Sequence, residues 1–143
     1  MQIHFREIIE DDVEALAQLS LQFGYTVLVE EMRERVAQVL ARKDHCGFVA
    51  CVGKQVVGWI HGFYTFRLES EPFVEIGGLM VDEHFRRQGI GQQLIERVKT
   101  WAAVHSVRKV RVRCNTTRTA THTFYKKAGF AESKEQKVFD LHL

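Results

Sequence analysis

The pattern that most constrains this chain is a short basic loop, Arg86-Arg87-Gln88-Gly89-Ile90-Gly91, set between an apolar run and an amphipathic helix. Residues 73–81 are apolar and β-prone and read as a central strand, while Leu94, Ile95, Val98, Trp101 and Ala102 recur at helical spacing. A helix must therefore begin at the two glycines. Its first backbone N–H groups have no partner inside the helix and sit at the positive end of its dipole. Where glycine removes side-chain bulk, a phosphate can rest directly on those amides. The loop reads as a pyrophosphate site; the plainer alternative is an ordinary strand-to-helix turn. Two familiar phosphate loops are excluded. No Lys-Ser/Thr pair follows Gly91 as the Walker loop requires, and Leu94 stands where the dinucleotide fingerprint needs a third glycine.

Composition narrows the class. In 143 residues with 45% hydrophobic content one real core can form, and two independent domains would each be too small; the expectation is a single domain over residues 1–143. A net charge of +2 implies neither a nucleic-acid-binding tail nor a basic membrane patch. No apolar run approaches the roughly 20 residues that span a bilayer. Residues 1–7 lack the charged-then-apolar plan of a secretion signal. Cys46, Cys51 and Cys114 are odd in number, lie in strand-like surroundings and lack zinc spacing. The seven histidines show no metal-binding spacing either. The expectation is a reduced, cytoplasmic protein with no metal.

Along the chain, Ile3 and Phe5 open a strand, and Glu10-Asp11-Asp12 offers cap carboxylates for a helix carrying Val13, Leu16, Ala17 and Leu19. Met32, Val36, Val39 and Leu40 mark a second helix with a charged outer face. Residues 48–52, the turn Gly53-Lys54 and residues 55–67 read as an antiparallel hairpin, and the second arm, apolar on both faces, reads as central. Residues 68–72 read as a polar loop before the strand 73–81. Val110, Val112 and Cys114 alternate with Lys109, Arg111 and Arg113 as a half-buried strand. A helix over 115–127 ends at Gly129, and short strands around Phe130 and over 136–141 close the chain.

This order, β-α-α-β-β-β-α-β-α-β-β, together with Arg86-x-x-Gly89-x-Gly91 after a strand ending in Val81-Asp82, resembles the GNAT superfamily of N-acetyltransferases over essentially the whole chain. A second stretch, Arg118-x-x-x-His122-x-Phe124-Tyr125-x-x-x-Gly129-Phe130, resembles the closing motif of many such enzymes. The resemblance implies an α/β (α+β) GNAT fold, a mixed central sheet of about seven strands flanked by about four helices. It implies an acetyl-coenzyme A-dependent N-acetyltransferase that acts on a primary amine by direct attack in a ternary complex. The coenzyme would be held by Leu79, Met80, Val81, Arg86, Arg87, Gln88, Gly89, Ile90, Gly91, Gln92, Asn115 and Tyr125.

The chemistry needs a group to take a proton from the amine and one to give a proton to the departing thiolate. Tyr125 falls at the family position for the acid; the bland alternative is a packing tyrosine whose hydroxyl bonds the coenzyme. Glu75, a carboxylate inside an apolar strand eleven residues before Arg86, is the candidate base, with burial expected to raise its pKa. The alternatives are an outward-facing Glu75 in a cross-strand pair, a chain of waters, or His61 or Tyr64 as substitutes. Gly77-Gly78 suggests a bulge, which the resemblance implies would open the strand to the pantetheine arm; room for a large neighbour such as Trp59 is the plainer and compatible reading. Asn115 would cap the last helix or reach the pantetheine, and His122 would stack near the coenzyme or lie on the helix surface. A small-molecule amine is favoured over a protein acceptor. Glu69, Glu71 and Glu75 would suit a polycation such as an aminoglycoside. The rival class is a non-catalytic coenzyme A sensor. No nucleic acid or membrane partner is expected, and a homodimer paired through 136–141 is compatible with the resemblance.

Overall fold

The computed structural model describes residues 2–143. Backbone contacts gather into two compact units, residues up to Val112 and Arg113–Leu143.

The first unit is a five-stranded sheet in the order β1-β2-β3-β4-β5. Its strands are β1 (Ile3–Glu7), β2 (His45–Val52), β3 (Gln55–Arg67), β4 (Ser70–Val81) and β5 (Val110–Val112). The first four are antiparallel neighbours; β5 runs parallel to β4 after the crossover through α3 (Ile90–Val104). As its two-faced apolar pattern implies, β3 is central, and Gly53-Lys54 makes the two-residue turn between Val52 and Gln55. The apolar stripes of α1 (Val13–Gln22) and α2 (Val29–Ala41) close one core: Val13, Leu16, Leu19 and Val36 pack with Val49, Cys51 and Val56. In α3, Ile90, Leu94, Ile95 and Val98 are buried at helical spacing.

A bidentate ion pair ties β1 to the start of α1. Arg6 Nη1 and Nη2 donate to the two carboxylate oxygens of Asp12, each at 2.8 Å, and Asp12 also accepts from the Ile9 N–H at 2.9 Å. Burial by itself would raise the Asp12 pKa, but these bonds together outweigh it and hold the carboxyl below its ordinary value.

The bulge expected at Gly77-Gly78 is present. Gly78 opposes His61 and Ile76 opposes Gly62, so Gly77 is the extra residue. Trp59 also needs the space: a Cβ on Gly78 would lie 2.7 Å from its ring. One pair of glycines thus serves both ends. The polar loop expected over 68–72 is shorter than its composition suggests. Arg67 pairs with Ser70, and a second register shift lets Pro72, which has no N–H to give a ladder, sit inside β4.

In the second unit α4 spans Thr119–Lys127, not 115–127. Asn115 forms a side-chain turn ahead of it, accepting from the Thr117 N–H at 3.0 Å and the Thr117 hydroxyl at 2.8 Å. The strands expected around Phe130 and over 136–141 are absent among the described residues, so the sheet has five strands where about seven were expected. Residues 136–141 have the alternation of a strand, but a strand is made by its pairing partner. Val138, Phe139 and Leu141 stand 79–87% exposed. Among the described residues no helix is long and apolar enough to cross a membrane.

Two outcomes follow. Gly78→Ala should cost about 1–3 kcal/mol in urea unfolding by forcing a methyl against a rigid ring, and Trp59→Leu in the same chain should recover most of it. Because the folded-state pKa of Asp12 is depressed, its contribution is present above the unfolded-state value and is lost as pH falls through the folded one. Asp12→Asn should therefore flatten that part of the acid limb in unfolding measured against pH.

Candidate functional site

The loop after β4 begins with Asp82, which is buried. Its N–H donates to the Val57 carbonyl at 2.8 Å, and its carboxylate accepts from the His84 N–H at 2.9 Å and from Gln22 Nε2 at 3.3 Å. Gln22 in turn accepts from the Glu83 N–H at 3.4 Å. The start of the loop is thereby fastened to the end of α1. Beyond a 3-10 turn over Glu83–Phe85, the Arg86 guanidinium lies 5.2 Å over the Phe23 ring.

Arg87 then takes a left-handed backbone, φ +63°, a conformation that costs a non-glycine residue about 1 kcal/mol or more. Gly89 follows at φ +75°, where glycine escapes that cost. The first bond of α3 runs from the Gln93 N–H to the Gly89 carbonyl at 3.0 Å, which leaves the amides of Ile90, Gly91 and Gln92 without an intrahelical partner. Gly89 contributes no side-chain cap, and the first turn holds no acid. Gln92 leans along the helix to Glu96, 3.3 Å away. A bare helix start beside two arginines is suited to an anion.

On β4 itself, β5 is in register only with Val74, Glu75 and Ile76. Past the Gly77 bulge, Leu79, Met80 and Val81 pair with Ile60, Trp59 and Gly58 on one side. On the other side they have no registered strand among the described residues. An extended chain with its own amides could pair there.

Glu75 is half-buried, in register with Phe63 on β3 and Arg111 on β5. Beside it His45, His61 and Phe63 stack, with ring centroids 5.2–5.4 Å apart. His45 Nδ1 and His61 Nε2 are 2.9 Å apart, so one donates to the other. Burial, with the charge of His45 added, pushes the His61 pKa down to about 4. Tyr64 is half-buried one residue on and faces the other side of the sheet.

In the second unit Tyr125 is buried, edge-on to Phe124 and Phe130 at 5.1 and 5.4 Å. Burial, helped by Cys114, pushes its phenol up to about 12, so it holds its proton at neutral pH. The Phe130 N–H closes the helix end on the Tyr125 carbonyl at 3.0 Å. His122 Nε2 donates to the Asn115 carbonyl at 2.8 Å, which ties its ring to the turn before the helix. Among the described residues, no group of three or more His, Cys, Asp or Glu side chains is gathered for a metal.

The family model described as "Acetyltransferase (GNAT) family" matches residues 12–130. An N-acetylaspartate synthetase of Danio rerio is 28% identical over 111 residues, which are 78% of this chain. The chain spans only 38% of the length of that relative. Among solved structures, the aminoglycoside 6'-N-acetyltransferase AAC(6')-Ih from Acinetobacter baumannii superposes with a TM-score of 0.88 at 15% identity, over 99% of each chain. AAC(6')-Iy, solved in complex with a bisubstrate analog of coenzyme A and acetylneamine, gives 0.89 at 18% identity over 100% of each. At these identities the structural matches speak for the fold.

Burial keeps His61 neutral down to about pH 4, so stability drawn from it is present above the ordinary histidine pKa and is lost as pH falls through about 4. In a titration followed by imidazole carbon shifts, the His61 ring should change protonation near pH 4 and move upward in His45→Phe.

Proposed function

Because the chain belongs to the GNAT acetyltransferase family, we propose that it transfers an acetyl group from acetyl-coenzyme A to the primary amine of a small molecule. The observation that carries the reading is the uncapped, acid-free start of α3 directly after a strand with an open edge. The two compact units are read as parts of one domain, since the family match runs from one into the other.

Acetyl-coenzyme A supplies a thioester carbonyl for the amine to attack. The amides of residues 87–92, with Arg86 and Arg87 as counter-charges and Gln88 and Gln92 at the rim, hold the pyrophosphate. Leu79, Met80 and Val81 offer their free backbone edge to the amides of the pantetheine arm, and Asn115 offers its carboxamide nitrogen. Glu75, directly or through a water, takes the proton that the amine must lose as the N–C bond forms. Tyr125 gives its proton to the sulfur as the C–S bond breaks, and regains one from solvent. A phenol kept protonated by burial is in the right state for that step. The products are the N-acetylated amine and the free thiol of coenzyme A. Among the similar proteins are an aminoglycoside 6'-N-acetyltransferase and an N-acetylaspartate synthetase, both named for small acceptors.

Thiol release across a panel of amines tests the reading. Tyr125→Phe and Glu75→Gln should each lower kcat by about 10²-fold or more, the usual scale of general acid–base help, with the KM for acetyl-coenzyme A little changed. An unchanged kcat in either variant removes that residue from its role, and a protein that does not bind coenzyme A refutes the reading as a whole.

A further inference from the structure

A second gathering of charge lies on β4, away from the loop. Phe73 is 1% exposed, yet its ring is crowded by three cations. The Arg111 guanidinium is 4.3 Å from the ring centroid, that of Arg67 5.4 Å and the Lys109 ammonium 5.7 Å. They converge from β3, from the residue before β5 and from β5 itself, and all three are half-buried. Like charges brought together repel, and one aromatic ring offsets only part of that repulsion. Among the described residues none of the three has a carboxylate within ion-pair distance. Glu69 and Glu71, in and after the turn between β3 and β4, are exposed and make no pair with them. In register with Phe73 stands Thr65, whose buried hydroxyl oxygen has no hydrogen-bond partner among the described residues. Donors and cations gather here, and among the described residues none of the three cations is ion-paired.

The position of the cluster decides what it could serve. Val81, the last residue of β4 before the loop, is eight residues from Phe73, roughly 26 Å of extended chain. The cluster is therefore separate from the pyrophosphate loop. Glu75, by contrast, is two residues away on the same face, roughly 7 Å, and is in register with Arg111. We propose that Arg67, Lys109 and Arg111 form an oxyanion site that selects the acceptor: a small primary amine carrying its own carboxylate or phosphate. The anion rests on the three cations while the amine points at Glu75. The proposal rests on the acetyltransferase reading and narrows its substrate. Two guanidinium forks suit a bidentate oxyanion, and the same trio repels a polycation such as an aminoglycoside.

The test uses matched acceptors with the full chain: L-aspartate against its diamide, O-phosphoethanolamine against ethanolamine, and neamine as the polycation. The anionic member of a pair should have a kcat/KM at least about tenfold higher, the worth of one charge-assisted hydrogen bond. The pair that shows the preference tells carboxylate from phosphate. Arg111→Gln and Lys109→Gln should each raise the KM for that acceptor about tenfold and shrink the difference within the pair. The KM for acetyl-coenzyme A should stay in place, and Arg111→Lys should recover part of the loss. Thermal unfolding of each variant separates a lost contact from a lost fold. Turnover of neamine or of the neutral members as fast as the anionic ones overturns the inference and leaves the acetyltransferase reading standing. If coenzyme A binds and nothing in the panel is acetylated, the transferase reading fails and the inference falls with it.

Discussion

Backbone hydrogen-bonding groups are not left unpaired in a folded protein without a reason, and at the junction of β4 and α3 this chain leaves two sets of them open. The amides of Ile90, Gly91 and Gln92 have no intrahelical partner, no capping side chain and no acid in the first turn of the helix. One edge of β4 beyond Ile76 has no registered strand among the described residues. Much else in the first unit holds that junction in place. Leu94, Ile95 and Val98 seat α3 in the core, Asp82 and Gln22 fasten the loop to α1, and the Gly77 bulge turns β4 where its pairing with β5 stops. The strained backbone of Arg87 is tolerated because both ends of the loop are anchored.

The charge pattern of the sheet separates two tasks along one strand. The far end of β4 meets a loop with two exposed arginines, while its near end carries a buried ring under three more cations. Glu75 stands close to the second group, with the hydrogen-bonded pair of His45 and His61 beside it.

Much of this was legible in the sequence because it depends on near neighbours. Periodicity marked α1, α2 and the seat of α3, and apolar residues on both faces marked the central place of β3. The two glycines marked where that helix begins, and Gly77-Gly78 marked both the bulge and the approach of Trp59. What escaped depends on residues far apart in the chain. Gln22 reaches Asp82 across sixty positions, and nothing in a polar residue at a helix end announces it. Lys109 and Arg111, alternating with Val110 and Val112, look like a solvated strand face until Arg67 and Phe73 are brought beside them. The reverse error came over 136–141, where the alternation of a strand is present and the partner is missing among the described residues.

If the open backbone groups of this junction hold the coenzyme, amide hydrogen exchange with and without coenzyme A will show it. Exchange should slow at Leu79, Met80 and Val81 and at the amides of residues 87–92, with the β1–β2 side of the sheet unchanged. Binding of coenzyme A that protects neither segment would contradict it.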